Sequence, residues 1–387
     1  MPTEELWDVA VIGAGIIGNC AAFHAVKSGL KTIQLEQFSF GHHHGSSHGQ
    51  SRIIRYAHSN AAWIPVVKDT YAQIEELEKK RGTELWIKCG LLWAGSEPYV
   101  KKLYNTVTNA GCELDLLTHE QIASRFPFYS YDENWQAVFD PMGGALLADK
   151  WMEAFHAEYL EHGGNFVKNC EVLSIDHDNH CILKTSQGVI KAKKVIVAAG
   201  TWVNKLVPQL NVKSKNLSLS VPYWKLREGA DPTIIHPSKM PVFIVDDQYD
   251  GGRGYFALPP IDYQGAIKFS EHGGDVFESG DEPSEHDSIF VERPRKHIAA
   301  HFPALDSEKP FKVDHCKYTM APDATYIVDY LGDNKDIVLC AMMSGTGFKV
   351  APALGRALVL MAQGEPVPFD LSIFKASRFA DPFKKTA

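Results

Sequence analysis

The sequence lacks the long apolar runs and the excess of positive charge that mark two large classes of protein. No stretch reaches the roughly 18 uninterrupted apolar residues that a membrane-spanning helix needs, so we expect no membrane segment. The formal net charge is −8 at pH 7, whereas a dedicated nucleic-acid binder usually presents a basic face. We therefore expect partners that are neither nucleic acids nor membranes.

Cysteine is scarce and irregularly placed. The seven cysteines are an odd number, and they do not show the paired spacing of a metal site. This pattern favours an intracellular, reducing environment with free thiols and predicts no bound metal. The acidic N-terminus shows no cleavable leader, and residues 383–387 are not a peroxisomal address of the S-K-L type. We expect a cytoplasmic or peroxisomal location, with no recognisable C-terminal peroxisomal signal.

The N-terminus carries a dinucleotide-binding pattern. An apolar run at 8–12 predicts a strand, and Gly13, Gly15 and Gly18 follow it before a helical stretch. Gly13 permits a tight turn, Gly15 lets the backbone approach a pyrophosphate, and Gly18 lets helix and strand pack closely. A second predicted strand at 32–35 ends at Glu36, which is suited to accept hydrogen bonds from ribose hydroxyls. The negative charge of Glu36 disfavours NADP, but this unit alone does not separate FAD from NAD.

The cofactor-binding pattern recurs along the chain. Apolar strands predicted at 194–200 and 336–341 each end near a glycine turn, and a helix beginning near 345–348 follows the second. The length of 387 residues suits about two domains. The pattern between about 217 and 316 is strand-like and punctuated by proline. We therefore predict an α/β (α+β) protein with a discontinuous Rossmann-type domain and an antiparallel-sheet substrate domain.

The predicted boundaries follow from these segments. The dinucleotide-binding domain takes about 1–85, 140–216 and 315–387, and the substrate domain takes about 86–139 and 217–314.

Three unusual motifs occur one after another along the sequence. They read G-S-S-H-G-Q-S-R-I-I-R at 45–55, H-C-K-Y-T at 315–319 with P-D following, and S-G-T-G-F-K at 344–349. Together they resemble the family of monomeric sarcosine oxidase and peroxisomal sarcosine/pipecolate oxidase over nearly the whole chain. The resemblance implies an FAD-binding domain of the glutathione-reductase-like or D-amino-acid-oxidase kind in a monomer. It also implies oxidation of the C–N bond of a secondary α-amino acid (sarcosine, pipecolate, proline or an N-methyl amino acid) by O2, with release of an imine or its hydrolysis products and hydrogen peroxide.

The resemblance also assigns roles to individual residues. Cys316 matches the cysteine that attaches FAD covalently through the flavin 8α-methyl group. Arg55 and Lys349 match the pair that holds the substrate carboxylate, a task that suits a bidentate guanidinium and a point charge. Further cofactor contacts are implied at four positions: Ser51, Val172, Gly345 and Lys349.

Four residues are predicted to act at the flavin ring. Arg52 matches an arginine beside the ring, and Lys268 matches the lysine that activates O2, where a positioned cation would stabilise developing superoxide. His272 and Tyr318 match an active-site histidine and a pocket tyrosine. The helix that follows Gly345 would direct its positive end towards the flavin.

The chain departs from the family in its substrate pocket. Thr346 stands in place of a histidine, and Met320 and Ala321 make the segment after Cys316 less polar. The sequence does not decide whether Tyr255 or Phe256 faces the substrate. These changes leave the identity of the amine open.

Three other functions remain open at the level of sequence. One is an oxidase of glycated or other N-alkyl amino acids, and another is a catalytically silent flavin-binding protein. The third is an NAD-dependent dehydrogenase, which would carry no yellow chromophore.

Overall fold

A computed structural model describes residues 5–131, 133–247, 253–278 and 288–383. Eight α-helices lie in these ranges: α1 (Ile16–Lys27), α2 (Trp63–Arg81), α3 (Glu97–Asn109), α4 (His119–Arg125), α5 (Ala148–Glu161), α6 (Val203–Leu206), α7 (Ile289–His301) and α8 (Ala351–Gln363). The first ten strands are β1 (Leu6–Ile12), β2 (Thr32–Leu35), β3 (Ser51–Ile54), β4 (Trp86–Ile87), β5 (Leu91–Ser96), β6 (Asp115–Leu117), β7 (Trp135–Asp140), β8 (Gly144–Leu147), β9 (Asn165–Val167) and β10 (Val172–His177). The other ten are β11 (Cys181–Thr185), β12 (Gly188–Val197), β13 (Lys215–Lys225), β14 (Val242–Asp247), β15 (Arg253–Tyr263), β16 (Ala266–Glu271), β17 (Asp275–Phe277), β18 (Lys312–Met320), β19 (Ile327–Leu331) and β20 (Asn334–Ala341).

The first sheet has eight strands and contains the predicted dinucleotide unit. Its parallel part runs β9–β2–β1–β12–β20, and β19 adds to β20 in the antiparallel sense. β10 and β11 extend from the other end of β12 as an antiparallel pair. All four residues of β2 are buried, as expected of a parallel strand covered on both faces.

Helices α1 and α8 cover one face of this sheet, α5 packs on α1 and α2 packs on α8, and the apolar side chains of the four helices form one continuous core. The contact between α1 and α8 is very close. A Cβ on Gly355 would lie 2.6 Å from Cβ of Cys20, so the two helices meet where glycine offers no side chain. Residues from opposite ends of the sequence thereby hold the dinucleotide unit in place.

The second sheet has nine strands and is mostly antiparallel. Its order is β17–β13–β16–β15–β14–β5–β7–β6, with β18 also paired to β13. Among the described strands of this sheet, only β14 and β5 pair in the parallel sense. The predicted mixed fold with an antiparallel substrate sheet is confirmed, but the region 217–316 is not strand throughout, since it also contains α7.

The third sheet joins β3, β8 and β4. It brings the segment after Gly45 alongside the second sheet, because β3 begins at Ser51 and also contacts β15. β18, which carries Cys316, pairs with the second sheet, although residues from 315 onward were predicted to belong with the FAD-binding segments. The predicted boundaries of the two domains stay a prediction.

The helix predicted near 345–348 starts later than expected. A short 3-10 turn covers Phe348–Val350, and α8 begins at Ala351 with Pro352 in its first turn. Proline is favoured there because the first helical N–H groups have no partner within the helix. The N-terminus of α8 is therefore several residues further along the chain than the predicted one.

Other features of the described ranges bear on earlier expectations. All seven cysteines are free thiols. Across these ranges no helix is both long enough and apolar enough to cross a membrane, and no cluster of three or more His, Cys, Asp or Glu side chains could hold a metal. Residues 384–387, on which the expectation about a peroxisomal address depends, lie outside the described part of the chain.

Candidate functional site

Strands of all three sheets border a cavity of about 1500 Å³. This volume exceeds the ~300–1,000 Å³ of an ordinary small-molecule site, so it can hold a dinucleotide together with a second small molecule. Every predicted site residue except Gly18 lines it: Gly13, Gly15, Glu36, Ser51, Arg52, Arg55, Val172, Lys268, His272, Cys316, Tyr318, Gly345 and Lys349. The predicted residues therefore come together in space, although their individual roles stay predictions.

Gly13 and Gly18, in the turn before α1 and in its first part, lie where a Cβ atom would clash with the backbone. Gly13 has a φ of +99°, and a Cβ there would lie 2.5 Å from the carbonyl oxygen of Ala198. A Cβ on Gly18 would lie only 1.9 Å from the carbonyl oxygen of Gly13, so Gly18 serves the packing of the turn rather than the cavity wall. The N-terminus of α1 opens onto the cavity, where its N–H groups suit a pyrophosphate.

Glu36 presents a negative charge to the same part of the site. Its carboxylate accepts hydrogen bonds from the backbone N–H of Ala14 at 2.7 Å and of Phe38 at 3.0 Å, and His42 Nε2 lies 3.4 Å from it. Burial raises the pKa of Glu36, but these partners outweigh burial and leave the pKa below its ordinary value. An ionised acceptor in this position fits the ribose of a dinucleotide without a 2′-phosphate.

Arg52 and Cys316 lie side by side in the cavity wall. The Arg52 guanidinium donates to the carbonyl oxygens of Ser51 at 2.8 Å and Ser46 at 3.2 Å, and its Nη2 lies 3.6 Å from Cys316 Sγ. Cys316 is half-buried on β18. Reactive cysteines occur in partly exposed, electropositive surroundings, and Cys316 meets both conditions.

Lys268 is buried on β16, and its ammonium group is hydrogen-bonded to other side chains of the protein. Its Nζ lies 2.7 Å from Ser51 Oγ and 3.0 Å from Asp262 Oδ1. Asp262 was not predicted from the sequence, because nothing in the residues 253–263 marks one carboxylate as facing inward. Ser51, predicted to contact the cofactor, uses its hydroxyl between Lys268 and Asp262.

Arg55 and Lys349 place a guanidinium and an amino group in a buried part of the cavity. Arg55 is 8% exposed and lies over the ring of Trp93, with 4.6 Å from its Cζ to the ring centroid. Lys349 is 5% exposed, and its Nζ donates to the carbonyl oxygen of Thr346 at 3.2 Å. Burial and the charge of Arg55 lower the pKa of Lys349 well below its usual range. A bound anion would relieve this repulsion, so the arrangement suits a carboxylate.

His272 and Tyr318 stand next to the turn at Gly345. Gly345 has a φ of +72°, and a Cβ there would lie 2.6 Å from the Tyr318 ring and 2.9 Å from the His272 ring. Burial, reinforced by Lys349 and Arg55, lowers the pKa of His272 to about 4. His272 is therefore neutral at physiological pH. Burial raises the pKa of Tyr318, which stays protonated.

The strand register decides which aromatic ring faces the cavity. Phe256 pairs with Ile244 across β14, and Ile244 pairs with Trp93 across β5, so these three side chains share one face of the sheet. Tyr255 points to the other face, where its ring packs 4.5 Å from His297 in the core. Phe256, Ile244 and Trp93 form an apolar wall beside Arg55.

Comparison with known proteins gives a consistent result. The family model described as FAD dependent oxidoreductase matches residues 8–361. A Caenorhabditis elegans protein provisionally assigned as a sarcosine oxidase is 38% identical over 376 residues, covering 96% of this chain and 98% of that protein. The peroxisomal sarcosine oxidase of Mus musculus is 31% identical over 97% of both chains.

A solved structure of a point mutant of NikD, an unusual amino acid oxidase, superimposes with a TM-score of 0.81 at 19% identity, covering 96% of this chain and 97% of that one. The L-proline dehydrogenase of P. horikoshii has a TM-score of 0.78 at 20% identity, covering 95% and 96%. These two likenesses concern the fold. The glycine turn and the ionised Glu36 fit the cofactor that the family model names, and the extent of the match shows that the chain belongs to the FAD dependent oxidoreductase family.

Proposed function

We propose that the protein oxidises the C–N bond of a secondary α-amino acid with O2 as the electron acceptor, giving an imine or its hydrolysis products and hydrogen peroxide. The observation that carries the proposal is the pair of buried basic side chains, Arg55 and Lys349, in a cavity that also contains the dinucleotide turn. The names of the relatives, sarcosine oxidase and, at 28% identity, the N-methyl-L-tryptophan oxidase of Yersinia pestis, support an amino acid that carries a substituent on nitrogen.

FAD, when bound, supplies the redox chemistry by accepting two electrons from the amine and passing them on. The contribution of the protein is to bind and orient the substrate. Arg55 offers a planar guanidinium and Lys349 a point charge to the carboxylate, so a small amino acid would be held by one end while its amine remains within the cavity.

The same charges influence the amine. A substrate nitrogen close to Arg55 and Lys349 is more easily deprotonated, because a neighbouring positive charge disfavours a second one. His272 is neutral, with a pKa lowered to about 4. The site therefore favours a neutral amine and needs no strong general base.

Cys316 is the proposed covalent attachment point for the flavin. Its half-buried sulfur lines the cavity 3.6 Å from Nη2 of Arg52. Acid precipitation of the purified protein should leave flavin absorbance in the pellet, and the Cys316→Ser variant should release it into the supernatant. Flavin in the supernatant of the parent protein would rule out the covalent link to Cys316, but it would not count against the proposed oxidase activity. Cys112→Ser, which changes another free thiol outside the cavity lining, is the matched control.

The apolar wall favours a substrate larger than sarcosine. Trp93, Ile244 and Phe256 offer contact area to a ring or to an apolar substituent next to the carboxylate site. We expect pipecolate or proline to reduce the flavin with a higher kcat/KM than sarcosine, measured by anaerobic bleaching of flavin absorbance and by peroxide formation in air. Bleaching by glycated amino acids or by amino acids with larger N-alkyl groups, but not by sarcosine, pipecolate or proline, would favour the rival substrate class. No bleaching by any amino acid would indicate a silent flavin-binding protein.

The remaining parts of the proposal concern the state of the protein. We propose a monomer with an intracellular location, cytoplasmic or peroxisomal, as in the relative whose name contains the word peroxisomal. Size-exclusion chromatography with light scattering and fluorescence imaging of the full chain test these two points.

A further inference from the structure

Lys268 is surrounded by acceptors that belong to the protein. Its Nζ lies 2.7 Å from Ser51 Oγ, 3.2 Å from the Ser51 carbonyl oxygen and 3.0 Å from Asp262 Oδ1. An ammonium group has three hydrogens to donate, and these contacts offer one acceptor for each. The side chains of Lys268 and Asp262 are each 6% exposed, so little water screens the pair.

Asp262 is itself held by neutral donors. The Ser51 hydroxyl donates a short hydrogen bond to Asp262 Oδ2, and the Tyr223 hydroxyl donates to Oδ1 at 3.2 Å. Ser51 Oγ thus accepts from Lys268 and donates to Asp262. Because the Ser51 hydroxyl bridges the two groups in this way, it fixes the position of the Asp262 carboxylate relative to the Lys268 ammonium.

An irregularity in the β15–β16 hairpin places Asp262 there. Leu258 pairs with Lys268 and Tyr263 pairs with Ala266, so five steps along β15 span two steps along β16. The extra segment contains Pro259 and Pro260, which have no N–H to donate to a ladder. Bulges re-aim side chains, and this one turns Asp262 back over the side chain of Lys268.

The charges around the pair explain why a carboxylate is needed. Burial lowers the pKa of Lys268, Asp262 opposes this effect, and Arg52 adds to it by repulsion. Burial raises the pKa of Asp262, but the ion pair and the Ser51 bond outweigh it and leave the pKa below its ordinary value. Without Asp262, Lys268 would be a buried cation close to a second cation, and it would lose its proton more readily.

We propose that Asp262 is a positioning residue that keeps Lys268 protonated and oriented in the cavity. The inference rests on the proposed function, in which Lys268 serves the reaction with O2. Asp262 acts through Lys268 and Ser51, and it therefore governs the pH range over which the lysine carries its charge.

The first test measures the protonation of Lys268 without measuring turnover. Parent, Asp262→Asn and Asp262→Glu proteins are labelled with acetic anhydride over a range of pH, and the modification of Lys268 is followed by peptide mass spectrometry in the apoprotein and in the holoprotein. We expect the labelling midpoint to fall by about 1–3 pH units in Asp262→Asn, the effect of losing an opposite charge at this distance, and to be largely restored in Asp262→Glu. Asp314→Asn, which removes a cavity carboxylate bonded to Tyr263, is the control and should leave the midpoint unchanged.

The second test separates the two half-reactions by stopped-flow absorbance. Asp262→Asn should slow flavin reoxidation by O2 about tenfold or more at neutral pH while changing flavin reduction less than about twofold, and the fall of the reoxidation rate with rising pH should move to lower pH. Asp262→Ser is a second neutral variant, and melting temperature and flavin content show which variants are folded.

An unchanged labelling midpoint in folded Asp262→Asn or Asp262→Ser would overturn the proposal, as would equal losses in both half-reactions with an unshifted pH profile. A parent protein that amino acids do not reduce, or that O2 does not reoxidise, would count against the proposed function instead. In that case the labelling midpoints still decide whether Asp262 controls the charge of Lys268.

Discussion

Replacing Lys349 with methionine isolates the charge of the proposed carboxylate site, because methionine preserves most of the side-chain volume. The Lys349 ammonium is buried and donates to the carbonyl oxygen of Thr346 at 3.2 Å. A hydrogen bond to a charged partner contributes about 1.5–3 kcal/mol, and about 1.4 kcal/mol corresponds to a factor of ten. The expected loss in kcat/KM is therefore about 10- to 150-fold. The lower half of that range applies, since the substitution also removes the repulsion between Lys349 and Arg55.

The assay compares two substrates that differ only in the carboxylate, proline and pyrrolidine. Lys349→Met should raise KM for proline and leave the slower oxidation of pyrrolidine nearly unchanged, since pyrrolidine has no group for Lys349 to hold. Lys184→Met, which removes an exposed lysine paired with Asp176 on the far strands of the first sheet, is the matched control. An equal loss of kcat/KM with proline and with pyrrolidine would refute the proposal that Lys349 holds the carboxylate. An unchanged KM for proline would refute it as well.

The same site has a predicted pH dependence. Burial and Arg55 hold the pKa of free Lys349 well below its usual range, and a bound carboxylate raises it. Above the lowered pKa, binding of a carboxylate must therefore be accompanied by uptake of a proton, and affinity must fall as pH rises. Calorimetry with cyclopentanecarboxylate in buffers of different ionisation enthalpy measures this uptake, which should disappear in Lys349→Met.

Three further predictions concern other parts of the molecule. Gly18→Ala should destabilise the protein by about 1–3 kcal/mol and reduce its flavin content, because the new Cβ would meet the carbonyl oxygen of Gly13 at 1.9 Å. A normal melting temperature with full flavin content would contradict this. Burial lowers the pKa of His24 to about 4, so the unfolded chain binds a proton that the folded one excludes, and stability should fall by up to about 3 kcal/mol between pH 6.5 and 4. Denaturant melts should show a flatter pH dependence in His24→Phe, and an identical slope would contradict the assignment. Phe256→Ala should lower the kcat/KM ratio of pipecolate to sarcosine about tenfold or more, and an unchanged ratio would mean that Phe256 does not contact the substrate.

The sequence predicted those parts of the fold that local patterns determine. The strand before Gly13, the helix α1 and the strand ending at Glu36 follow from apolar periodicity and glycine placement, and the structure has them within about two residues. The start of α8 was wrong because Pro352, rather than the glycine turn, sets the first helical position. Helix α7 was missed because Pro294 lies inside it, and proline normally interrupts a helix.

The site was predictable only in part, for a different reason. Lys268 and Arg55 carry no local signal of burial and entered through resemblance to a family. Asp262 and the orientation of Phe256 depend on the register between β15 and its neighbours, which is a property of the assembled sheet. Shifting the pairing of a strand by one residue moves each of its side chains to the opposite face of the sheet, and a single sequence does not specify this pairing.

The contact between α1 and α8 has a consequence for the way the protein matures. Helix α1 leaves the ribosome long before α8, yet the two pack together, with Gly355 against Cys20, and the turn at Gly13 packs against the backbone at Ala198. Contacts so distant in sequence form late, because a long loop must close before they contribute. A nascent chain truncated before α8 should therefore fail to retain FAD, although it already contains the whole glycine turn. Cofactor loading would then wait until α8 has left the ribosome, and shorter ribosome-bound intermediates would be colourless.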